Sequence, residues 1–212
     1  TNAGKSTLLN HLTSSDVLSE DMLFATLDPT TKAFTLPDGQ NIMLTDTVGF
    51  ISKLPHHLIQ AFRSTLEEAK YCDIILHVVD ASNPDMDRQM YAVYDTLHQL
   101  GTEDKPLITV FNKIDRLQET TVLKDLRADA TVMVSAKEEI GFDKLLQAME
   151  EILLQNQSYM ELKLPYKETG MLNDIRTYGK LLEERYEEDG IFVKAYVRKR
   201  ESELVKQYCI KG

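Results

Sequence analysis

Tryptophan is absent from this chain, cysteine occurs only twice, and basic residues are outnumbered: 24 Lys and Arg stand against 34 Asp and Glu, for a formal net charge of −10. Each shortage excludes something. Cys72 and Cys209 lie far apart and match no metal-ligand or redox spacing, so they read as reduced thiols, as expected in the cytoplasm. No apolar run approaches the roughly 18 residues that a membrane-spanning helix needs, and the start carries no secretory signal. The acidic excess argues against a bare nucleic-acid-binding surface, because phosphate contact requires clustered Lys and Arg. That excess is uneven. Residues 1–155 hold 13 basic and 24 acidic residues, whereas residues 156–212 hold 11 and 10 and are near neutral. Hydrophobic residues make up 42% of the 212 and charged residues 27%, enough to bury the core of one or two globular domains.

What is present begins at once. Thr1-Asn2-Ala3-Gly4-Lys5-Ser6-Thr7 ends in the second half of a phosphate-binding loop, whose leading glycine would fall before residue 1. Gly4 lets backbone N–H groups face a phosphate, Lys5 brings a point charge to the β- and γ-phosphates, and the Ser6 hydroxyl is a Mg²⁺ ligand. The helix that follows points its positive end at the anion. Such a loop normally follows a strand, so the chain is expected to be a piece of a longer protein in which that strand precedes residue 1.

Along the chain, Leu8, Leu9 and Leu12 mark a first helix over 6–13. Residues 14–31 read as a long loop, and 32–36 and 41–45 as two short strands joined by the turn Pro37-Asp38-Gly39-Gln40. A helix is expected over 55–70, a buried strand over 73–79, a helix from Ser82-Asn83-Pro84 to about Leu100, and a second buried strand over 107–111. A poorer helix over 117–127, a short strand over 131–134 and an amphipathic helix from Phe142 to Leu153 follow. This alternation predicts an α/β fold, a mostly parallel sheet with helices on both faces, over 1–155. Residues 156–212 read as a small C-terminal α/β domain: a linker into a short alternating strand (Met160, Leu162, Leu164), a helix carrying Met171 to Leu182, a strand over 191–197 and a last helix over 201–208.

The chemistry-bearing stretches sit just after predicted strand ends, where open α/β sheets bind ligands. Asn112-Lys113-Ile114-Asp115 is the sharpest. A carboxylate there accepts two hydrogen bonds from N1–H and the N2 amine of guanine, a donor pair adenine lacks; discrimination of this kind is on the order of several kcal/mol. Asn112 is placed to tie the loop together and the Lys113 stem to lie along the base. Asp46-Thr47-Val48-Gly49 suggests an acidic residue holding Mg²⁺ through water and a hinge glycine whose N–H meets the γ-phosphate. Thr26, Thr30 and Thr31 compete as the switch threonine that ligates Mg²⁺ when the γ-phosphate is present. Ser135-Ala136-Lys137 offers a backbone N–H near Ala136 to guanine O6. His56 and His57 read as surface residues, since adjacent histidines on a helix share no face. Lys194, Arg198, Lys199 and Arg200 read either as a solvated strand end or as a contact for RNA phosphates.

Together these stretches resemble the HflX family of translation-factor-class GTPases. The likeness is carried by Thr1–Thr7, by Leu23-Phe24-Ala25-Thr26-Leu27-Asp28-Pro29-Thr30-Thr31, and by Asp46–Ile51 continuing through Leu54-Pro55-His56 and Ala61–Glu68. His77-Val78-Val79-Asp80-Ala81-Ser82 and Asn112–Asp115 complete it. The resemblance implies a Mg²⁺-dependent GTPase that converts GTP to GDP, binds the large ribosomal subunit and splits stalled or idle ribosomes under stress. It further implies a cytoplasmic, monomeric protein whose N-terminal domain and helical linker make much of the ribosome contact. By analogy with the related Obg group it assigns Thr26 to Mg²⁺ and sets Phe24, Ala25, Leu27 and Asp28 beside the nucleotide. Phe50 stands where the commonest small GTPases carry the glutamine that orients water. An Obg- or Era-like assembly GTPase and a nucleotide-gated binding module are the alternatives.

Overall fold

A computed structural model describes residues 2–13, 30–47, 67–118 and 121–211. Its strands are β1 (Thr30–Thr35), β2 (Asn41–Asp46), β3 (Ile75–Asp80), β4 (Leu107–Asn112), β5 (Ala130–Met133), β6 (Gln157–Leu164), β7 (Lys180–Glu187), β8 (Gly190–Arg198) and β9 (Cys209–Lys211). The chain divides into two compact units, one of Thr1–Ala33 with Met43–Met149 and one of Phe34–Ile42 with Glu150–Gly212.

In the first unit β3, β4 and β5 form a parallel sheet in that order, with Asp80 in register with Asn112. All six residues of β4 are buried, which accounts for its unbroken apolar run: a central parallel strand is covered on both faces. Helix Met86–Leu100 lays Val93 and Leu97 against Leu107 and Ile75, buries Leu100, and ends at Gly101 in the left-handed conformation, with the Gly101 N–H donating to the His98 carbonyl. Helix Lys5–Thr13 buries Leu8, Leu9 and Leu12. β1 and β2 form a two-stranded sheet of their own, whose turn end, Phe34–Ile42, belongs to the second unit and is closed by Leu36 N–H donating to Gln40 O at 2.9 Å.

The expected helix over 117–127 does not form among its described residues. A short 3₁₀ turn at Ile114–Arg116 ends there, and residues 121–125 are irregular. Asp125 supplies the reason. Its carboxylate accepts from Tyr94 OH (2.6 Å) and Thr109 Oγ1 (2.7 Å), which pins the segment to neighbouring elements, and it takes the Arg127 N–H (3.0 Å), a donor that a helix would give to a backbone carbonyl. Of the expected helix over 55–70, only its end is described, as a 3₁₀ turn at Glu67–Lys70. Residues 56 and 57 lie outside the described residues.

In the second unit β7, β8, β6 and β9 form an antiparallel sheet in that order. Met160, Leu162, Leu164, Val193, Ala195 and Val197 alternate onto one face, where helices Thr169–Tyr178 and Lys199–Val205 cover them with Leu172, Ile175 and Val205. Three expectations give way here. The linker at 156 is already strand from Gln157. The helix expected to reach Leu182 stops at Tyr178. β7 and β9 were not foreseen. Gly179 makes the stop: it is extended, and a Cβ on it would lie 2.6 Å from Tyr196 O and 2.9 Å from Ile175 O. The charged run after it is that of an edge strand.

One buried group carries a pH dependence. His77 on β3 is 7% exposed, stands edge-on to the Tyr94 ring at 5.7 Å, and has no partner for Nδ1 among the described residues. Burial pushes its pKa down to about 4, against the opposing pull of Asp125. Its folded pKa lies below the unfolded one, so its contribution is complete above about pH 6.5 and is lost as pH falls toward 4, on the order of 3 kcal/mol in all. His77→Phe is expected to remove that part of the acid destabilisation. Urea unfolding of both proteins between pH 7 and 4 checks it, and parallel losses in the two would contradict it.

Candidate functional site

The site is built on three consecutive parallel-strand ends and the N-terminus of the first helix. Helical bonding in Lys5–Thr13 begins with Leu8 N–H donating to Gly4 O at 2.9 Å, so the preceding amides point along the axis toward the loop. Gly4 has φ +85°, and a Cβ there would collide with Asn112 Nδ2. Glycine is needed twice over, for the backbone conformation and for the space.

Asn112, 2% exposed at the end of β4, is the junction. Its Nδ2 donates to Ala3 O at 2.8 Å, and its Oδ1 accepts the Ala136 N–H at 2.9 Å. One amide therefore joins the phosphate-type loop to the loop after β5. Lys113 follows in the left-handed conformation, φ 66°, an unusual state for a residue with a side chain. Its Nζ donates to Asn2 O and to Asp80 Oδ2, both at 2.7 Å. Burial alone would raise the Asp80 pKa, but hydrogen bonds from Lys113 and Ser82 outweigh it and hold the carboxylate below its usual range. The sequence reading named Asn2 in the phosphate loop and Asp80 in the family-like string but gave neither to Lys113, because that pairing depends on β3 lying beside β4.

Asp115 is exposed, and Ser135 Oγ donates to its Oδ1 at 2.6 Å, which lowers its pKa and leaves the other oxygen outward. Ser135 is fully buried and Ala136 nearly so, while Lys137 is exposed and pairs with Glu138 at 2.8 Å. Ile114 N–H donates to Val134 O at 3.3 Å, which fixes the loop to the strand beneath. At the other end of the site Ser6 Oγ donates to Asp46 Oδ2 at 2.6 Å. Burial pushes the Lys5 pKa down and Asp46 partly restores it. A hydroxyl and a carboxylate at hydrogen-bonding distance, beside a lysine, form a hard-oxygen donor pair that fits Mg²⁺.

The structure thus brings together Asn2, Ala3, Lys113, Asn112 and Ala136, joins Ser135 to Asp115, and joins Ser6 to Asp46; Thr7 lies in the first helical turn and Thr47 just after β2. Thr1, Phe24, Ala25, Thr26, Leu27, Asp28, Val48, Gly49 and Phe50 lie outside the described residues. Of the competing threonines, Thr30 and Thr31 belong to β1, and the Thr31 hydroxyl is bonded to that of Thr45 at 3.0 Å.

A loop before a helix N-terminus, tied by one buried amide to the loops after two neighbouring parallel strands, is the arrangement of the phosphate-loop GTPase class. The model of the 50S ribosome-binding GTPase family matches residues 1–113. GTPase HflX of Lacrimispora saccharolytica is 62% identical over 197 residues, covering 93% of this chain and 47% of that protein. GTPase HflX of Escherichia coli K12 is 37% identical over 193 residues, covering 90% and 45%. The chain belongs to the HflX family of GTPases and spans about half the length of the curated relatives it matches. A GTP-binding protein from the archaeon Sulfolobus solfataricus, solved with GDP, shares the fold with a TM-score of 0.58 at 26% identity, over 72% of this chain and 49% of that one. No helix among the described residues is long and apolar enough to cross a membrane.

Asn112→Ala would strip partners from two backbone groups in different loops, one of them the buried Ala136 N–H, each loss worth about 1–3 kcal/mol. It is expected to weaken GTP and GDP binding at least about tenfold, read by titration with a fluorescent guanine nucleotide. Unchanged affinity would mean that the two loops hold their places without it.

Proposed function

We propose that this chain is the GTP-hydrolysing switch of a protein that binds the large ribosomal subunit and splits or rescues stalled or idle ribosomes under stress. The observation that carries the reading is the Asn112 junction with Asp115 held beside it, set in a chain of the HflX family. On this reading residues 1–155 form the GTP-binding domain and residues 156–212 a small C-terminal domain, in a monomeric cytoplasmic protein.

Asp115 accepts from guanine N1–H and N2, with Ser135 fixing its orientation. Ala136 N–H is already taken by Asn112, so contact with guanine O6 falls to the neighbouring Lys137 N–H. Lys5 and the amides of Gly4 to Thr7 hold the β- and γ-phosphates, with Asn2 and Ala3 shaping the loop. Ser6, Thr26 and, through water, Asp46 would hold Mg²⁺. When bound, that ion neutralises phosphate charge as the bond to the γ-phosphate breaks. Water attacks the γ-phosphorus in line, the β–γ bridging oxygen leaves with GDP, and Lys5 stabilises the charge that develops. Gly49 donates its N–H to the γ-phosphate and serves as the hinge. Phe50 cannot align water, so hydrolysis by the free protein is slow, and the ribosome accelerates it by ordering both switches.

GTP turnover by the full-length protein, with and without purified large ribosomal subunits, tests this. Strong stimulation is expected. Basal turnover that ignores the subunits would favour an Obg- or Era-like assembly role, and tight binding without turnover in either case would make the protein a nucleotide-gated binding module. Base selection has its own check. Asp115→Asn is expected to weaken GTP binding and to favour xanthosine nucleotides; an unchanged preference for GTP would remove the role given to Asp115.

A further inference from the structure

We infer that the helix-free face of the β7-β8-β6-β9 sheet, around Phe192, Lys194 and Tyr196, is a stacking platform for single-stranded RNA. The inference rests on the ribosomal reading above and names the kind of ribosomal component that the C-terminal unit would meet. With both helices on one side, strand alternation sends Tyr159 of β6 and Phe192, Lys194 and Tyr196 of β8 to the other, while Arg198 at the end of β8 turns to Tyr178 and Glu201 of the helices. Tyr159 and Tyr196 are direct cross-strand partners with ring centroids 5.6 Å apart. Phe192 lies opposite Arg185 of β7, whose guanidinium sits 4.5 Å from the ring centroid, and Lys194 Nζ lies 5.5 Å from the same ring. Along β8 this face therefore reads ring, cation, ring, with Arg185 of β7 over the first ring.

That pattern separates RNA from a protein partner. The centre of a protein-docking face is depleted of charge, whereas here every ring is bracketed by charge. Aromatic rings on the two central strands of a four-stranded sheet stack unpaired bases, and Arg planes and Lys groups beside them stack in turn or meet the phosphates. The Arg185 side chain is 56% exposed over its ring, so its plane is presented outward. The acids of the face are held: Glu183 pairs with Lys194 (2.7 Å) and Arg185 (2.9 Å), Glu187 with Lys163 (3.1 Å), and Glu161 accepts from Tyr159 OH (2.7 Å). Phosphates can replace Glu183 as the partner of both cations. The face also lies in the near-neutral stretch of an otherwise acidic chain, where a polyanion is least repelled.

The test titrates full-length protein into a labelled single-stranded oligoribonucleotide and follows fluorescence anisotropy across a salt series, with large-subunit co-sedimentation in parallel. Phe192→Ala and Tyr196→Ala are each expected to weaken RNA binding about tenfold, while Phe192→Tyr binds as the parent does and Phe192→Leu binds as weakly as Phe192→Ala. Lys194→Gln, which leaves the rings in place, is expected to flatten the salt dependence. GTP affinity, which belongs to the other unit, stays unchanged in all of them, and an unchanged urea-unfolding profile of each variant reports that the sheet remains folded. The proposal is overturned if the parent protein does not bind the oligonucleotide, or if the ring variants bind it as the parent does. If the parent nonetheless sediments with large subunits, the ribosomal reading survives and the face meets a protein or nothing. Oligonucleotide binding that depends on the rings, without sedimentation, would keep the platform and remove the ribosomal reading.

Discussion

A single buried amide holds the nucleotide site together. Asn112 donates to Ala3 O, 109 residues away in sequence, and accepts from Ala136 N–H, 24 residues on. Both bonds lie in a place from which water is nearly excluded, where a satisfied pair is strong and an unsatisfied one is costly. Aspartate would lose the donor and leucine would lose both ends. The amide joins the loop before the first helix to the loops that follow β4 and β5.

The residues around it extend the same constraint. Lys113 takes a left-handed backbone conformation, and in doing so its Nζ reaches both Asp80 at the end of β3 and the Asn2 carbonyl. Unfavourable backbone geometry of this kind persists only where surrounding bonds over-determine it, and it clusters at functional sites. Asp115 is exposed, but one of its oxygens is anchored by a fully buried serine, so the other is directed without loss of access. The carboxylate is oriented before a base arrives, which spares the ordering cost at the moment of binding.

The C-terminal unit uses different physics for a comparable end. Its sheet has no parallel crossovers and one helix-covered face, so apolar and polar residues alternate instead of running on. The covered face gives stability. The uncovered one carries rings and ion pairs that the core has no use for, such as Tyr159, Phe192 and Tyr196 beside Lys194 and Arg185.

Some of this was legible in the sequence because it depends on local spacing. The unbroken apolar run of β4, the Gly4-Lys5-Ser6 start before a leucine-striped helix, and a polar quartet directly after a buried strand are short-range patterns, and they place the α/β fold and the loop proposed to select guanine. Other features were not legible because the deciding partner is remote. The segment after Asp115 has a helix-like pattern, yet Asp125 bonds Tyr94 and Thr109 from neighbouring elements and prevents a helix. Leu181 and Leu182 continue a helical stripe, yet Gly179 lies against the Tyr196 carbonyl of β8 and the chain turns into a strand. The pairing of Lys113 with Asp80 follows from which strands are neighbours. Sequence by itself determined which groups could bind a nucleotide, because their chemistry is intrinsic to each short stretch. Only the tertiary structure decided how those groups are held, because hydrogen bonds between loops more than a hundred residues apart exist only once the sheet has brought its strand ends together.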